Sequence, residues 1–172
     1  MEDGVFSRCR SWSAPVNTFR QRAVLFLVTG AGAGYFPRMP GTMGTVVAVP
    51  FSLALNRIAV KNLPLALCLI AGSIACAVWL STKGAGILKQ KDPQIIVIDE
   101  IVGFFVANFL APPRWTALLF DFVLFRFFDV AKVFPTNKLE QFPGGAGIVF
   151  DDVMAGLYTL ASFRLLLMAG WM

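Results

Sequence analysis

The sequence predicts an all-α membrane protein: a small polytopic helical bundle with about four to five transmembrane helices and an interfacial helix near the N-terminus. Hydrophobic residues make up 57% of its 172 residues and charged residues only 15%, whereas soluble domains contain about 25% charged residues. The mean hydropathy is +0.70. The apolar runs have the length of helices and lack the alternating pattern of outer-membrane barrel strands. Although the net charge is +5, the cations lie at the ends of apolar runs, which favours a membrane protein over a nucleic-acid-binding one.

Residues 1–22 are expected to form a basic N-terminal arm, because they are polar and contain four arginines. A short apolar run, 23–28, follows and is interrupted by alternate glycines from Gly30 onward. No small-residue cleavage site completes a signal peptide. We therefore expect a cytoplasmic arm with an interfacial helix, followed by a single membrane-embedded domain, 23–172.

The segment 34–45, GYFPRMPGTMGT, is dense in Gly and Pro and therefore predicts a loop or turn. Pro50 is expected to kink the first apolar run, in which it lies. Pro112 and Pro113 are expected to force a tight turn between the third and fourth runs. Five apolar runs are candidate crossings, of which the first and fourth are short: 46–58, 63–80, 94–111, 115–130 and 153–171.

The run 94–111, QIIVIDEIVGFFVANFLA, is unusual because it carries two adjacent carboxylates, Asp99 and Glu100, and no basic residue. A carboxylate at mid-membrane costs about 2.5–3.5 kcal/mol on insertion scales. We therefore expect a membrane helix whose first turns hold a polar site near the interface, beside a metal cation or a basic side chain.

The charges between the runs predict an orientation. With the N-terminus inside, the cytoplasmic connections are 81–93 and 132–147, and both contain lysines. The opposite side carries fewer cations, namely Arg57, Lys61 and Arg114. The positive-inside rule thus favours a cytoplasmic N-terminus, which places the Gly-rich segment and the acidic residues on the cytoplasmic side.

The chemistry must depend on carboxylates, cations, hydroxyls and backbone amides, because the chain contains no histidine and its three cysteines lack metal-ligand spacing. Close carboxylates repel one another unless a cation such as Mg²⁺ is shared between them. An alternative is that each carboxylate caps a helix N-terminus, which fits Asp151 and Asp152 but not Asp129, near the end of its run. The acidic residues at the ends of apolar runs are Asp99, Glu100, Asp129, Asp151 and Asp152.

Basic residues accompany these acids. Arg126 precedes Asp129 by one helical turn, so it can form an internal ion pair or bind a phosphate as well, and the sequence leaves both possibilities open. Lys132 can add a phosphate contact or extend to the interface. In PRMPGTMGT, the glycines and the following helix would form an anion-binding nest, to which Arg38 and Thr42 belong.

Two glycines follow acids at helical spacing. Gly103 is four residues after Asp99, and Gly156 is four residues after Asp152. Small residues at such positions let helices approach closely and equally well give access to a site. The glycines at 144–147 are interpreted as a linker, with a lid as the alternative.

Four ordered motifs resemble the phosphatidylglycerophosphatase A family of bacterial membrane lipid phosphatases: PRMPGTMGT at 37–45, KDPQIIVIDEIVG at 91–103, FRFFDVAK at 125–132 and GGAGIVFDDVMAG at 144–156. The resemblance extends from about Gly34 to Gly156. One departure is Val133, where the family pattern has a proline, and it bears on the position of Lys132.

The resemblance implies a Mg²⁺-dependent phosphatase that converts phosphatidylglycerophosphate in the bilayer into phosphatidylglycerol, at the cytoplasmic face of the bacterial inner membrane. We expect the single membrane-embedded domain, 23–172, to be the phosphatase domain. From the residues, we expect Asp99, Glu100, Asp129 and Asp152 to bind the metal, Asp151 to join them in catalysis, and Arg38, Thr42, Arg126 and Lys132 to bind the phosphate. Direct attack by water is preferred, because neither DxDxT nor Cys-x5-Arg occurs. The alternatives are a cation channel or transporter that uses intramembrane carboxylates, and a non-catalytic lipid-binding subunit.

Overall fold

The computed structural model describes residues 18–90, 93–131, 134, 142 and 144–170. These residues form helices and connections without a strand, which confirms the all-α class. A short 3-10 helix, Ala33–Tyr35, joins the first two α-helices. The α-helices of the described part are α1 Phe19–Val28, α2 Pro40–Lys61, α3 Leu63–Leu88, α4 Ile98–Ala107, α5 Trp115–Ala131 and α6 Gly145–Met168.

Three of these helices are long and apolar enough to cross a membrane, namely α2, α3 and α6, with 22, 26 and 24 residues. Their most apolar windows have mean hydropathies of 1.5, 2.3 and 1.3. Large apolar side chains are exposed on the outside of the bundle, among them Phe51, Val60, Leu67, Leu119, Val123 and Leu165. This surface is suited to lipid, so the helices fit a small integral membrane bundle.

Helix α2 begins earlier than the sequence predicted. The Gly- and Pro-rich segment was expected to be a loop to residue 45, but α2 starts at Pro40. Proline is favourable in the first helical turn because its missing N–H has no intrahelical acceptor there. Glycine is needed at position 44 because a Cβ there would come within 2.7 Å of the Val97 side chain. Pro50 lies inside α2.

The central run does not form a membrane-spanning helix, contrary to the prediction for 94–111. Helix α4 has only 10 residues, so it is about 15 Å long, half the thickness of the hydrocarbon core. It is surrounded by α2, α3, α5 and α6. The run is therefore a buried half-helix, apolar because protein covers it on all sides. Helix α5, with 17 residues, follows the prediction closely.

The buried end of α4 is stabilised by side chains from two other helices. Asn56 of α2 donates to the carbonyl oxygen of Asn108 at 2.7 Å and accepts from the Leu110 amide at 2.8 Å. Arg164 of α6 donates to the carbonyl oxygens of Phe109 and Leu110 at 3.0 and 2.9 Å. Irregular backbone at membrane depth requires such partners, and these bonds explain how α4 can end inside the bundle.

Helix α6 also begins earlier than predicted, at Gly145 instead of residue 153. The N–H of Gly145 donates to the hydroxyl of Thr82 on α3 at 2.9 Å. The glycines interpreted as a linker therefore lie at the start of α6, and Asp151 and Asp152 lie inside the helix. They are not N-terminal caps.

The structure describes only part of the predicted N-terminal region. Residues 1–17 of the basic arm lie outside the described residues, and α1 begins at Phe19, inside the predicted arm. Val24 and Val28 are buried against Leu80 of α3 and Ile96 before α4. The predicted short helix is thus present, packed against the bundle by one side.

Candidate active site

A cavity of about 520 Å³ opens at one end of the bundle. It lies between the start of α2, the start of α4, the last turns of α5 and the first turns of α6. Of the residues that the sequence singled out, Lys132 lies outside the described residues. The cavity brings together all the others: Arg38, Thr42, Asp99, Glu100, Arg126, Asp129, Asp151 and Asp152.

The directions of the helices explain this convergence. Helices α2, α4 and α6 contribute residues from their N-terminal halves, whereas α5 contributes Arg126 and Asp129 near its C-terminal end. Because α5 runs antiparallel to its neighbours, its last turns lie at the same end as their first turns. The sequence-predicted grouping of acids on one side of the bundle is therefore a consequence of the helix order.

Three acids form the centre of the cavity. Carboxylate oxygens of Asp99, Glu100 and Asp152 all lie within 4.8 Å of one another. Asp99 and Asp152 are buried and Glu100 is half-buried. Neither Oδ1 of Asp99 nor Oε2 of Glu100 has a hydrogen-bond partner within the described part of the chain. Such close, buried and unsatisfied oxygens are suited to a metal ion.

The pKa shifts of the two acids on α4 also favour a metal site. Burial raises the pKa of Asp99 well above its usual value, and the charges of Glu100 and Asp152 raise it further. Burial and the charge of Asp129 also raise the pKa of Glu100, whereas a hydrogen bond with Asp99 and, less strongly, the charge of Arg126 lower it. Without a bound cation, the folded protein therefore favours protonated carboxyls. A divalent cation would reverse this preference, so the donor set fits a metal ion.

Asp129 has a different setting from the group of three. Nη1 of Arg126 lies 2.6 Å from Oδ2 of Asp129, one helical turn away. The two groups form a close ion pair. The N–H of this nitrogen does not point toward the carboxylate well enough to form a hydrogen bond with it. Asp129 also interacts electrostatically with Glu100 and Asp152. The ion pair therefore holds Arg126 against the edge of the acidic group.

The start of α2 brings main-chain donors to the same place. The N-cap residue, Met39, provides no side-chain cap, and the first amides of the helix, at Gly41 and Thr42, have no acceptor within the helix. A Cβ at Gly41 would collide with Oε1 of Glu100 and would lie 3.0 Å from Nη1 of Arg126. Glycine is needed here because the helix N-terminus, a carboxylate and a guanidinium all meet at this point.

The two glycines at helical spacing lie where α4 crosses α6. A Cβ at Gly103 would lie 2.7 Å from the carbonyl oxygen of Asp152, and one at Gly156 would collide with the carbonyl oxygen of Gly103. This confirms that the small residues let the two helices approach closely. The approach is what brings Asp99 to Asp152.

Sequence reasoning missed some residues of the cavity wall, including Gln94, Phe142 and Ile148. Gln94 precedes α4, Phe142 lies in the connection before α6, and Ile148 lies in its first turns. Phe142 packs edge to face on Phe150, with ring centroids 6.5 Å apart. Apolar side chains carry no motif in a chain this apolar, so only the fold could assign them to the cavity.

Comparison with known proteins assigns a family. The sequence profile of the family described as "PgpA: Phosphatidylglycerophosphatase A" matches residues 26–167. A putative phosphatidylinositol-3-phosphatase of Bacteroides thetaiotaomicron is 34% identical over 148 residues, which cover 83% of this chain and 91% of that protein.

Two further relatives carry the family name. The phosphatidylglycerophosphatase A of Haemophilus influenzae is 34% identical over 78% of this chain and 82% of its own. That of Escherichia coli is 32% identical over 76% of each chain. No solved structure matches this chain at a significant level. The profile match and the identities together show that the chain belongs to the phosphatidylglycerophosphatase A family and is a phosphatase.

Proposed function

We propose that this protein is a Mg²⁺-dependent lipid phosphatase that converts phosphatidylglycerophosphate into phosphatidylglycerol at the cytoplasmic face of the membrane. The observation that carries the proposal is a single cavity in which Asp99, Glu100 and Asp152 face Arg126 and the uncapped start of α2. Such a cavity pairs a metal-binding group with donors for an anion. A site that binds a phosphate ester together with a metal ion requires both.

Two of the reported relatives are named for phosphatidylglycerophosphate hydrolysis, which supports the choice of substrate. The third is named as a putative phosphatidylinositol-3-phosphatase. The two substrates share a phosphomonoester on the polyol headgroup of a lipid. Phosphatidylinositol 3-phosphate is therefore the comparison substrate for any assay of selectivity.

Asp99, Glu100 and Asp152 would hold the Mg²⁺, because hard carboxylate oxygens are its preferred protein ligands. When bound, the ion supplies charge neutralisation for the phosphoryl group. Asp129, which the sequence also suggested as a ligand, interacts with Asp152 but forms its ion pair with Arg126. We therefore assign Asp129 the role of orienting Arg126.

The phosphate would be held on its other side by cations and amides. Arg126 presents a guanidinium that can bind two phosphate oxygens, and Arg38 lies at the exposed rim of the cavity. The amides of Gly41 and Thr42 point along the axis of α2, whose N-terminal end favours an anion. These donors would stabilise charge that develops on the phosphoryl oxygens.

In the hydrolysis itself, the oxygen of water forms a new bond to phosphorus while the bond from phosphorus to the glycerol oxygen breaks. One proton of the water must leave, and the released glycerol oxygen must gain one. Asp129 and Asp151 lie on the cavity wall outside the group of three. Either carboxylate could accept the proton of the water.

The cytoplasmic placement rests on charge. At the cavity end of the bundle, α1 carries Arg20 and Arg22, and the end of α3 carries Lys83 and Lys89. Cations flanking membrane helices are enriched on the cytoplasmic side. A lipid in that leaflet would place its headgroup at the level of the cavity.

The test is the release of inorganic phosphate from phosphatidylglycerophosphate by the detergent-purified protein, with Mg²⁺ and with excess EDTA. Asp152→Asn should abolish release. Asp121→Asn is the matched control, because Asp121 is also a buried aspartate but bonds to Asn108, outside the cavity. Unchanged phosphate release in EDTA would contradict the proposed role of the metal ion. Faster release from phosphatidylinositol 3-phosphate than from phosphatidylglycerophosphate would overturn the proposed substrate.

A further inference from the structure

A second cavity, of about 480 Å³, lies at the opposite end of the bundle. Helix α2 has 22 residues, so its start and its end are separated by about 33 Å. The start lines the acidic cavity and the end, at Val60 and Lys61, lines the second. Helix α5 runs the other way, with Trp115 at the second cavity. Because α2 is long and apolar enough to cross a membrane, the two cavities would face opposite surfaces of the membrane.

Three cations from two segments line this second cavity. Arg57 and Lys61 lie one turn apart on α2, and Arg114 precedes α5. No described carboxylate forms an ion pair with any of them. The nearby buried acid, Asp121, bonds instead to Asn108. The cavity therefore offers an excess of positive charge that the described residues do not neutralise.

The connection between α4 and α5 has an uncommon backbone conformation beside the cavity. Leu110 has a φ of 56°, which a side chain of this kind rarely adopts. Its amide and carbonyl are held by Asn56 and Arg164, and Asn56 and the next residue, Ala111, line the cavity. Strained backbone that is held in this way tends to occur where a ligand binds.

The remaining walls are apolar and open toward lipid. Val60 is 82% exposed and Trp115 is 80% exposed, and both line the cavity beside the cations. A tryptophan at the end of a membrane helix is typical of the headgroup level. A soluble anion would contact the cations only, whereas a phospholipid would contact the cations with its phosphate and the apolar side chains with its glycerol and acyl chains.

We propose that this second cavity binds the phosphate of an anionic glycerophospholipid from the leaflet opposite to the acidic cavity. The site is separate from catalysis, since none of its three cations lines the acidic cavity. Arg57, Lys61 and Arg114 bind the phosphate, and Trp115 and Val60 contact the apolar part.

The experiment is native mass spectrometry of the delipidated full chain, titrated with dioleoyl phosphatidylglycerol or dioleoyl phosphatidylcholine. The test variant is Arg57→Gln, Lys61→Gln and Arg114→Gln together. The control, Arg20→Gln, Arg22→Gln and Lys89→Gln, removes the same charge at the other end of the bundle. Each cation near a lipid phosphate contributes roughly fivefold in affinity, so the test variant should lose roughly tenfold or more and the control less than about twofold.

Phosphate release within about twofold of wild type shows that the test variant is folded. If it does not fold, Arg114→Gln alone, at an exposed loop position, should weaken phosphatidylglycerol binding roughly fivefold. Equal losses in test and control, or equal binding of phosphatidylcholine, would overturn the proposal. So would a dimer that only the test variant disrupts, because the cavity would then be an interface between two copies.

Discussion

Asp99 of α4 and Asp152 of α6 direct carboxylate oxygens to within 4.8 Å of each other, although they belong to helices far apart in the chain. Gly103 makes this possible, because it lies one turn after Asp99 and its missing side chain leaves room for the backbone of Asp152. The acidic group thus depends on a helix crossing that tolerates no side chain.

Gly103→Ala should therefore reduce activity sharply. The new Cβ would lie 2.7 Å from the carbonyl oxygen of Asp152 and 2.9 Å from its Cβ, so α4 and α6 must separate. Overpacking of this kind costs about 1–3 kcal/mol in stability. Phosphate release per folded molecule and thermal unfolding in detergent measure the two effects.

Gly86→Ala is the matched control, because a Cβ at Gly86 meets nothing within 4 Å. It should leave activity unchanged and can even stabilise α3, by up to about 1 kcal/mol. Equal activity in both alanine variants would show that the crossing does not set the geometry of the acids.

Asp99→Asn should stabilise the protein in EDTA. The pKa of Asp99 is raised in the folded state, so the folded protein binds this proton more tightly than the unfolded chain. Wild-type stability without metal should then fall as the pH rises above about 4, the ordinary carboxyl value, until the raised pKa is passed. Asparagine does not titrate, so the variant should show a shallower fall.

Unfolding temperatures between about pH 5 and about pH 8, in EDTA and then in Mg²⁺, test this prediction. Mg²⁺ at about 100 times its dissociation constant should add about 2.7 kcal/mol to wild type and less to Asp99→Asn. Parallel pH profiles for the two proteins in EDTA would contradict the placement of Asp99 in a repulsive group.

Arg126→Lys should lower kcat/KM by about 10- to 100-fold, although it keeps the positive charge. A lysine lacks the planar guanidinium that binds two oxygens at once. Its single ammonium group cannot bind both Asp129 and a phosphate. Steady-state phosphate release measures the change. Arg114→Lys, at the other end of the bundle, should leave kcat/KM within about twofold; a similar fall there would point to a general effect of arginine loss.

Asn56→Leu should destabilise the bundle by about 2–4 kcal/mol: about 1–3 kcal/mol because the Leu110 amide loses its acceptor, and about 1 kcal/mol for the lost donation to Asn108. The Asn108 carbonyl keeps the N–H of Ala111 as a donor. Thermal unfolding in detergent measures the loss. Asn62→Ala, which removes only the exposed cap of α3, should cost about 1 kcal/mol. If the two variants lost the same amount, the end of α4 would not depend on buried hydrogen bonds.

The sequence by itself determined the all-α membrane class, since long apolar runs need helices to satisfy their backbone in lipid. It also singled out the five acids that line the cavity, because carboxylates at the ends of apolar runs are rare, although Asp121, inside such a run, lies outside the cavity. The spacing of Gly103 and Gly156 from Asp99 and Asp152 left a close helix approach and access to a site equally open, and the structure shows the close approach.

Only the tertiary structure showed that α4 is a buried half-helix. An apolar run has the same composition whether lipid or protein surrounds it, so its length misled the prediction of a crossing at 94–111. The structure likewise showed that Asp129 pairs with Arg126, a possibility that the sequence left open. Distances between side chains on different helices depend on packing, which no spacing within one segment encodes.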